Sequence, residues 1–419
     1  MPEGPAYVII GASLAGAKAA ETLREDGFGG PIVLLGTETE RPYERPPLSK
    51  GYLLGQADKS SLYVHEEGWY AGHQVDLRLG VTAVAIDRAA HRVDLDNGEA
   101  VGYERLLLTP GSYPRVLQVP GADLDGVHYL RTAADSGALA TVLAPIPGEE
   151  TRVVVVGGGW IGLEVAAAAR EKGGTVTVLE PEPTPLHRQV GPELGQRFAD
   201  LHRAHGVEFR LGDSARELRG HEGRVTTVLT SEGAEVPADV VVVAIGAAPN
   251  VALAEQAGLE VGDGVLVDAA LRTSDPDIFA AGDVANVAHP LLGRRVRVEH
   301  WANALHGGPA AARAMLGQPV SYDRVPYFFS DQYELGMETS GLPEPGYYDQ
   351  VVYRGDPATL EFIAFWLSGG AVVAGMNVNV WDVTDDIQAL IRAGYAGTPA
   401  DVARLADPGV PLSEVLAGR

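Results

Sequence analysis

The chain of 419 residues contains no cysteine. Disulfides, thiolate metal sites and a redox-active dithiol are therefore excluded. The chain also lacks an apolar run of the ~20 residues that a membrane-spanning helix needs. Its opening residues, MPEGPAYVII, contain no basic segment followed by an apolar core and a cleavage site. These absences predict a cytoplasmic protein.

Positively charged residues are few. The chain has 32 Lys and Arg residues and 56 Asp and Glu residues, which gives a formal net charge of -24. Nucleic acids and anionic membranes bind clustered Lys and Arg, so we expect neither as a partner. The remaining composition, 46% hydrophobic and 21% charged, is typical of a folded protein. The length is too great for one ordinary core and predicts two or three domains.

The first informative pattern is YVIIGASLAGAKAA at residues 7–20. An apolar run precedes Gly11, a helix-forming stretch follows, and a second apolar run, PIVLLGTE, ends near Glu38. This order predicts a dinucleotide-binding unit, because small residues let the backbone approach a pyrophosphate and the acid binds ribose hydroxyls. An ordinary strand–helix turn is the alternative. The residues predicted to contact the dinucleotide are Gly11, Ser13, Leu14, Ala15, Gly16 and Glu38.

A second pattern of this kind, RVVVVGGGWIGLEVAAAAREKGGTVTVLE, spans residues 152–180 and has full G-x-G-x-x-G register. Its second strand ends at Glu180, whose carboxylate accepts hydrogen bonds from a 2'-hydroxyl and repels a 2'-phosphate. This favours NADH over NADPH, with use of both as the alternative. Trp160 either lines the nicotinamide site or serves packing alone. The residues predicted to contact this nucleotide are Gly157, Gly159, Trp160, Ile161, Gly162, Glu180, Arg188 and Gly246.

A third pattern, TSDPDIFAAGDVANV at residues 273–287, follows VVVAIGAAPN at residues 241–250. With the two loops, it resembles the two-dinucleotide flavoprotein reductases, which implies that Asp283 bonds the ribityl chain of FAD. Three further stretches look like the ferredoxin reductases that feed bacterial haem monooxygenases and aromatic-ring dioxygenases. They are RPYERPPLSKGYL at 41–53, VRVEHWANALHGG at 296–308 and PYFFSDQYELG at 326–336. This resemblance covers essentially the whole chain and implies FAD and NAD as cofactors.

The same resemblance implies roles for five further side chains. Arg45 and Lys50 would lie along the FAD, with Lys50 at the reactive edge of its ring and Trp301 close to that ring. Arg131 matches a family arginine near the cofactor. Glu164 would face the nicotinamide side and pair with Lys50, so these two are the predicted catalytic residues. Taken singly, each has an ordinary interpretation, such as a solvated lysine, a core tryptophan or a carboxylate that complements a helix dipole.

Three positions depart from the family pattern. Ser13 stands at the middle glycine of the first loop, where its small side chain still permits close packing. Thr109-Pro110-Gly111 stands where the family often has Ala-Thr-Gly, and the proline removes one backbone donor. Phe329 stands where the family often has Trp before Ser. If this aromatic side chain lies at the electron exit, the preference for partners differs.

The predicted fold class is α/β, with two Rossmann-like dinucleotide-binding domains and an α+β C-terminal domain. The FAD-binding domain is split between residues 1–113 and 246–323, and the NAD-binding domain at 114–245 is inserted between them. The C-terminal domain spans 324–419. Within it, VVYRGD, EFIAFWL and AVVAGMNV predict strands, and a helical tail follows from Val383.

The absence of cysteine also bears on how electrons leave the flavin. Glutathione-reductase-like proteins use a dithiol, and NADH oxidases of this fold use a single cysteine, so neither route exists here. A flavin can instead pass single electrons to a one-electron carrier, and the resemblance makes a two-iron ferredoxin the expected partner. Such ferredoxins are usually acidic, so docking needs a local basic patch. The candidate docking residues are Arg294, Arg295, Arg297 and Phe329.

Two other functions remain open at this point. One is reduction of rubredoxin, monodehydroascorbate or quinone on the same fold. The other is an apoptosis-inducing-factor-like flavoprotein that acts through protein contacts. The C-terminal stretch DVARLADPGVPLSEVLAGR has little basic character with which to hold anionic lipid. No metal site is predicted, and we expect a monomer or a weak dimer.

Overall fold

The computed structural model describes residues 6–145 and 150–416. Two compact units are distinguished within the chain, each assembled from separate segments. The first unit comprises Met1–Glu44, Lys59–Tyr113 and Ala248–Pro326. The second unit comprises Arg45–Asp58, Pro114–Ala247 and Tyr327–Arg419. The three-domain division predicted from the sequence stays a prediction.

The helices of the described residues range from one turn to five turns. They are α1 (Leu14–Glu25), α2 (Gly51–Leu54), α3 (Trp69–Gly72), α4 (Ala133–Val142), α5 (Trp160–Glu171), α6 (His187–Ala204), α7 (Ala252–Gln256), α8 (Trp301–Met315), α9 (Thr384–Tyr395) and α10 (Val402–Ala406). Among these helices of the described chain, none combines the length and the apolar character needed to cross a bilayer.

The strands of residues 6–145 and 150–416 are short and numerous. They are β1 (Tyr7–Ile10), β2 (Ile32–Gly36), β3 (Val75–Leu79), β4 (Ala83–Asp87), β5 (Arg92–Leu95), β6 (Ala100–Gly102), β7 (Arg105–Leu108), β8 (Ser112–Pro114), β9 (Val127–His128), β10 (Arg152–Val156), β11 (Thr175–Glu180), β12 (Val207–Leu211), β13 (Ala215–His221), β14 (Arg224–Thr230), β15 (Glu235–Pro237), β16 (Val240–Val243), β17 (Ala247–Pro249), β18 (Val261–Gly262), β19 (Gly264–Val267), β20 (Ile278–Ala280), β21 (Ala285–His289), β22 (Arg294–Arg297), β23 (Tyr327–Gln332), β24 (Leu335–Gly341), β25 (Gln350–Asp356), β26 (Glu361–Ser368) and β27 (Ala371–Val378).

The main sheet of the first unit is parallel, with strand order β20-β7-β1-β2-β3. All four side chains of its central strand, YVII, are buried, as expected for a parallel strand covered on both faces. Helix α1 follows this strand and packs closely against α8. A Cβ on Gly308 would stand 2.2 Å from the carbonyl oxygen of Ala15, so this approach of the two helices requires glycine. The packing fixes α1 at the carboxyl end of β1.

The second unit contains a parallel sheet of order β12-β11-β10-β16-β9 and an antiparallel sheet of order β23-β24-β27-β26-β25. The three strands predicted in the C-terminal region are β25, β26 and β27, and α9 begins one residue after Val383. Leu163 of α5 and Phe198 of α6 share one apolar cluster with Trp366 of β26. These sheets and helices confirm the predicted α/β class.

Candidate dinucleotide sites and a buried Lys50–Glu164 pair

The first loop joins β1 to α1 by an abrupt turn. Gly11 has a φ of +118°, and a Cβ there would stand 2.1 Å from the carbonyl oxygen of Thr109. A Cβ on Gly16 would stand 2.2 Å from the carbonyl oxygen of Gly11. Both positions therefore require glycine. Ser13 is the N-cap of α1, makes no capping hydrogen bond with its side chain, and precedes a first turn without acidic residues. This positive helix end fits a pyrophosphate.

The other parts of the first site lie against this loop. Leu14 and Ala15 are buried in the first turn of α1. A Cβ on Gly36, where β2 ends, would stand 2.6 Å from the Cβ of Ala12 in the loop. Glu38 lies two residues beyond that end and accepts a hydrogen bond from the Tyr43 hydroxyl at 2.5 Å. The carboxylate is thus oriented beside the loop, as binding of a ribose requires.

Thr109, which precedes the proline that departs from the family pattern, is hydrogen-bonded to the first loop. The Thr109 hydroxyl donates to the carbonyl oxygen of Gly11 at 2.9 Å, and its backbone N–H donates to Ile10 at 2.8 Å. The end of β7 is therefore tied to the first loop by the residue before the proline. Pro110 has no backbone N–H to donate. The hydroxyl of Thr109, however, makes a hydrogen bond that an alanine, which the family often has at this position, cannot make.

Asp283 and Trp301 each have a partner that orients the side chain. Ser112 donates a hydrogen bond from its hydroxyl to Asp283 Oδ2 at 3.1 Å. The Trp301 indole N–H donates to Glu44 Oε2 at 2.9 Å. Neither Ser112 nor Glu44 was identified from the sequence, although Glu44 stands inside the RPYERPPLSK stretch.

The second loop repeats the geometry of the first. Gly157 has a φ of +109°, and a Cβ there would stand 2.4 Å from the carbonyl oxygen of Ala244. A Cβ on Gly162 would stand 2.1 Å from the carbonyl oxygen of Gly157. A Cβ on Gly159, the N-cap of α5, would meet no atom of the described chain within 4 Å. The first two glycines thus serve the fold, whereas Gly159 leaves space at a helix N-terminus where a pyrophosphate fits.

Glu180 ends β11 and is nearly buried. Its carboxylate accepts the backbone N–H of Gly158 at 2.7 Å and that of Glu182 at 2.9 Å. Two donors hold it against the loop in the place from which a ribose is recognised. Arg188 instead donates to Glu182 at 2.7 Å, and its side chain is 79% exposed. The predicted contact residue Arg188 is therefore paired with a second carboxylate next to the site.

Lys50 and Glu164 form an ion pair, with 2.7 Å between Nζ and Oε1. Glu164 is buried, and it also accepts hydrogen bonds from Ser330 at 2.6 Å and from Ser49. The Lys50 ammonium lies 5.6 Å from the centroid of the Phe329 ring, within the range of a cation–π contact. The predicted pairing of Lys50 with Glu164 is thus present, and both serines are partners that the sequence analysis missed.

Arg45 and Arg131 meet through the backbone, because the Arg45 guanidinium donates to the Arg131 carbonyl oxygen. Asp135 accepts the backbone N–H of Arg131 at 3.1 Å and closes the capping box of α4. The Ser136 hydroxyl of α4 donates to the Leu48 carbonyl at 2.7 Å. These contacts attach the segment that carries Lys50 to α4.

The remaining predicted contacts of the second loop differ in exposure. Trp160 is half-buried and packs against Phe198 and Phe328, with ring centroids 5.4 and 4.9 Å away. This geometry favours the packing interpretation of Trp160. Ile161 is 45% exposed. Gly246 has a φ of +94°, and its carbonyl accepts the backbone N–H of Arg115 at 2.9 Å.

Two of the candidate docking arginines, Arg295 and Arg297, differ in exposure and in partners. Arg297 is only 10% exposed in its side chain and pairs with Asp263 at 3.0 Å and with Glu299. Arg295 donates to the carbonyl oxygens of Val267 and Asn286, each at 3.0 Å, and the residue is exposed. The cation of Arg297 is thus largely neutralised within its own unit.

The comparisons with known proteins cover nearly the whole chain. Residues 5–308 match the model of the pyridine nucleotide-disulphide oxidoreductase family, and residues 327–416 match the model described as reductase C-terminal. The ferredoxin--NAD(+) reductase component of the anthranilate 1,2-dioxygenase system of Burkholderia cepacia is 42% identical, over 98% of this chain and 99% of that protein. Putidaredoxin reductase of Pseudomonas putida is 37% identical, over 98% and 96%.

A solved structure supports the same assignment. The covalent putidaredoxin reductase–putidaredoxin complex contains a chain that superposes with a TM-score of 0.92 at 36% identity, covering 98% of both chains. The chain belongs to the pyridine nucleotide-disulphide oxidoreductase family. The relatives just named are ferredoxin reductases, which confirms the resemblance found in the sequence, and the chain is an oxidoreductase. Rubredoxin-NAD(+) reductase of Pseudomonas putida is also similar, at 36% identity over 90% of this chain. The family uses FAD and NAD(P)H.

Proposed function

We propose that this protein is an FAD-dependent reductase that oxidises NADH and reduces a two-iron ferredoxin which serves an oxygenase. The observation that carries this proposal is the presence of two loops shaped for dinucleotides in a chain without cysteine. The overall reaction converts one NADH and two oxidised ferredoxins to NAD+, one proton and two reduced ferredoxins. We further propose that it acts in the cytoplasm.

The first loop and its neighbours fit FAD. The helix end at Ser13 binds the pyrophosphate, Glu38 binds the ribose of the adenosine, and Asp283 binds the ribityl chain. Gly11 and Gly16 let the loop close, and Leu14 and Ala15 hold the first turn of α1 in place. FAD held by these residues would supply a hydride acceptor for NADH and a donor of single electrons. The residues proposed to hold it are Gly11, Ser13, Leu14, Ala15, Gly16, Glu38, Arg45, Lys50, Arg131, Asp283 and Trp301.

The second loop fits NADH better than NADPH. Glu180 is oriented by two backbone donors, and Glu182 adds a second negative charge two residues later. A 2'-phosphate brought to this place meets both carboxylates, whereas a 2'-hydroxyl donates to Glu180. Arg188, the nearest following cation in the sequence, is paired with Glu182. Two carboxylates and one paired arginine therefore support a preference for NADH.

Lys50 and Glu164 are the proposed catalytic residues. With FAD bound, the Lys50 ammonium would lie at the reactive edge of the flavin ring, where Glu164 would hold it in position from the buried side. The ferredoxin docks near Arg294, Arg295 and Phe329. Arg297 contributes less to this docking, because Asp263 and Glu299 already compensate its charge.

The test is NADH-driven cytochrome c reduction by the purified holoenzyme, with and without a two-iron ferredoxin, repeated with NADPH. A rate that requires ferredoxin and is higher with NADH is the expected result. Rapid flavin reduction by NADH without stimulation by any of several two-iron ferredoxins contradicts the partner. A rubredoxin or a quinone is then assayed as the acceptor. A flavin that NADH does not reduce contradicts the proposal as a whole.

A further inference from the structure

Within the second unit, a chain of buried polar side chains continues from the Lys50–Glu164 pair. Ser330 and Gln332 lie two residues apart on β23, so their side chains share one face of the strand. Ser330 Oγ lies 2.6 Å from Glu164 Oε1, and Gln332 Nε2 lies 3.1 Å from Ser330 Oγ. His202 Nε2 of α6 lies 2.8 Å from Gln332 Oε1. None of these three residues exposes more than 1% of its surface.

The hydrogens of this chain have one consistent arrangement. The ammonium of Lys50 lies beside Glu164, so the carboxylate is ionised and only accepts hydrogen bonds. Ser330 must therefore give its single hydroxyl hydrogen to Glu164, and it can only accept from Gln332. The amide nitrogen of Gln332 then faces Ser330 and its oxygen faces His202.

The orientation of the Gln332 amide also determines the tautomer of His202. Because the amide oxygen of Gln332 accepts, His202 Nε2 must carry a hydrogen. Burial lowers the pKa of His202 to about 4, although the bond to Gln332 opposes this effect, so the ring is neutral at pH 7. Nδ1 is then without a hydrogen, and it is buried without a partner among the described residues. Three neutral groups thus all point their hydrogens toward one carboxylate.

We propose that Ser330, Gln332 and His202 are positioning residues that hold the Glu164 carboxylate in one orientation and, through it, the ammonium of Lys50. This inference rests on the proposed function in one respect, namely that Lys50 acts on the flavin. Ser49 occupies the second carboxylate oxygen, so Glu164 is held from both sides. The Ser-Asp-Gln stretch, which carries the family resemblance, thereby has a physical role.

The first measurement concerns the chain itself and needs no turnover. Long-range proton–nitrogen NMR of the histidine-labelled holoenzyme at pH 7 distinguishes the two neutral tautomers and the protonated ring, and His202→Gln assigns the signal. The expected result is a neutral Nε2–H tautomer. An Nδ1–H tautomer or a protonated ring overturns the proposal, whether or not NADH reduces the flavin.

The second measurement concerns the effect on Lys50. Stopped-flow reduction of the bound FAD by NADH should show a limiting rate constant about tenfold lower in Ser330→Ala, the effect of one hydrogen bond to a charged group. The dissociation constant for NADH should change less than about threefold, and Ser330→Thr should recover most of the rate. Gln332→Glu should be at least as slow, because a carboxylate there competes for the Ser330 hydrogen.

The same sheet supplies a matched control. Gln388 donates a hydrogen bond to Ser340 of β24 at 3.4 Å. This is also a glutamine–serine pair, but among the described residues its serine has no hydrogen bond to Glu164. Ser340→Ala should keep the rate of the unmodified protein. Equal rates in Ser330→Ala and Ser340→Ala overturn the positioning role. If NADH fails to reduce the unmodified holoenzyme, the proposed function is wrong. The tautomer measurement still tests the hydrogen-bond arrangement of Ser330, Gln332 and His202 in that case.

Discussion

The indole N–H of Trp301 donates a hydrogen bond to the Glu44 carboxylate across 257 positions of sequence. Trp301 opens α8, and Glu44 precedes the 3-10 turn that leads to Lys50. The bond therefore fixes the ring plane of a tryptophan that we propose to lie at the flavin. A carboxylate acceptor also strengthens the bond relative to a neutral one.

Replacement of Glu44 should loosen this tryptophan. Glu44→Ala leaves the indole N–H without its acceptor and should lower stability by about 1 kcal/mol, while Glu44→Gln keeps an acceptor and should lose less. Thermal unfolding of the holoenzyme, followed with FAD release, measures both effects. Glu67→Ala, which changes an exposed carboxylate, is the control. If all three variants unfold and release FAD alike, the bond does not hold Trp301.

The glycines of the second loop should separate folding from nucleotide binding. Gly157→Ala combines a φ of +109° with a contact of 2.4 Å and should cost about 3 kcal/mol or more. Gly159→Ala has an ordinary φ of -78° and meets no neighbouring atom of the described chain, so the protein should fold normally. Its added methyl group fills the space for the pyrophosphate and should raise the Kd for NADH at least about tenfold.

Unfolding temperature and NADH titration together test this separation. Gly137→Ala is the control, since it lies in the helix α4 with no neighbour near its Cβ. There alanine should stabilise slightly, by about 0.5–1 kcal/mol. Unchanged NADH affinity in a folded Gly159→Ala protein would show that the dinucleotide does not occupy this space.

These loops were predictable from the sequence because the backbone dictates the residue. A Cβ at Gly11 or Gly157 would stand 2.1 or 2.4 Å from a backbone carbonyl oxygen, so a loop of this shape leaves room only for glycine there. Glu44 and Ser112 were not predictable, since Ser112 stands 171 positions from its partner Asp283 and no local pattern links them. A sequence shows which residue types occur, but a side-chain pair is defined only by the fold.

The pairing of the candidate docking arginines was also not predictable from the sequence. Three arginines occur in the stretch GRRVRVEHW, and a count of charges assigns the same positive charge to each of them. The fold places Asp263 next to Arg297 by pairing strands that are distant in sequence, which leaves that arginine little free charge. Arg188 was likewise identified as a cation near Glu180, while its partner Glu182 stands only six positions before it. The sequence shows that Glu182 and Arg188 are close along the chain, but it does not show that their side chains form an ion pair.

Glu182 should set part of the coenzyme preference. Glu182→Ala removes one negative charge near the ribose and releases Arg188. The ratio of kcat/KM for NADPH to that for NADH should rise about tenfold, the equivalent of ~1.4 kcal/mol. Steady-state kinetics with both coenzymes measure this ratio. Combining Glu182→Ala with Arg188→Ala should return much of the gain, and Glu171→Ala, at an exposed position, should leave the ratio unchanged. A ratio unaffected by Glu182→Ala contradicts the role.

His202 should contribute to acid sensitivity. Its pKa is lowered to about 4 in the folded protein, mainly by burial, whereas an unfolded histidine titrates near 6.5. Between these values the unfolded chain binds the additional proton, so stability falls as the pH is lowered from about 6.5 to about 4. Above about 6.5 the contribution is complete. The full difference amounts to about 3 kcal/mol.

His202→Gln keeps a polar side chain but removes this titration. The unfolding temperature of the holoenzyme should therefore fall less between pH 7 and pH 5 in the variant than in the unmodified protein, even if the variant is less stable at pH 7. His221→Gln, at a histidine whose side chain is 83% exposed, should follow the unmodified protein. The comparison uses the pH slope rather than stability at one pH, so loss of the hydrogen bond to Gln332 does not imitate the effect. Parallel slopes for His202→Gln and the unmodified protein would mean that the folded protein accepts a proton on His202 as readily as the unfolded chain does.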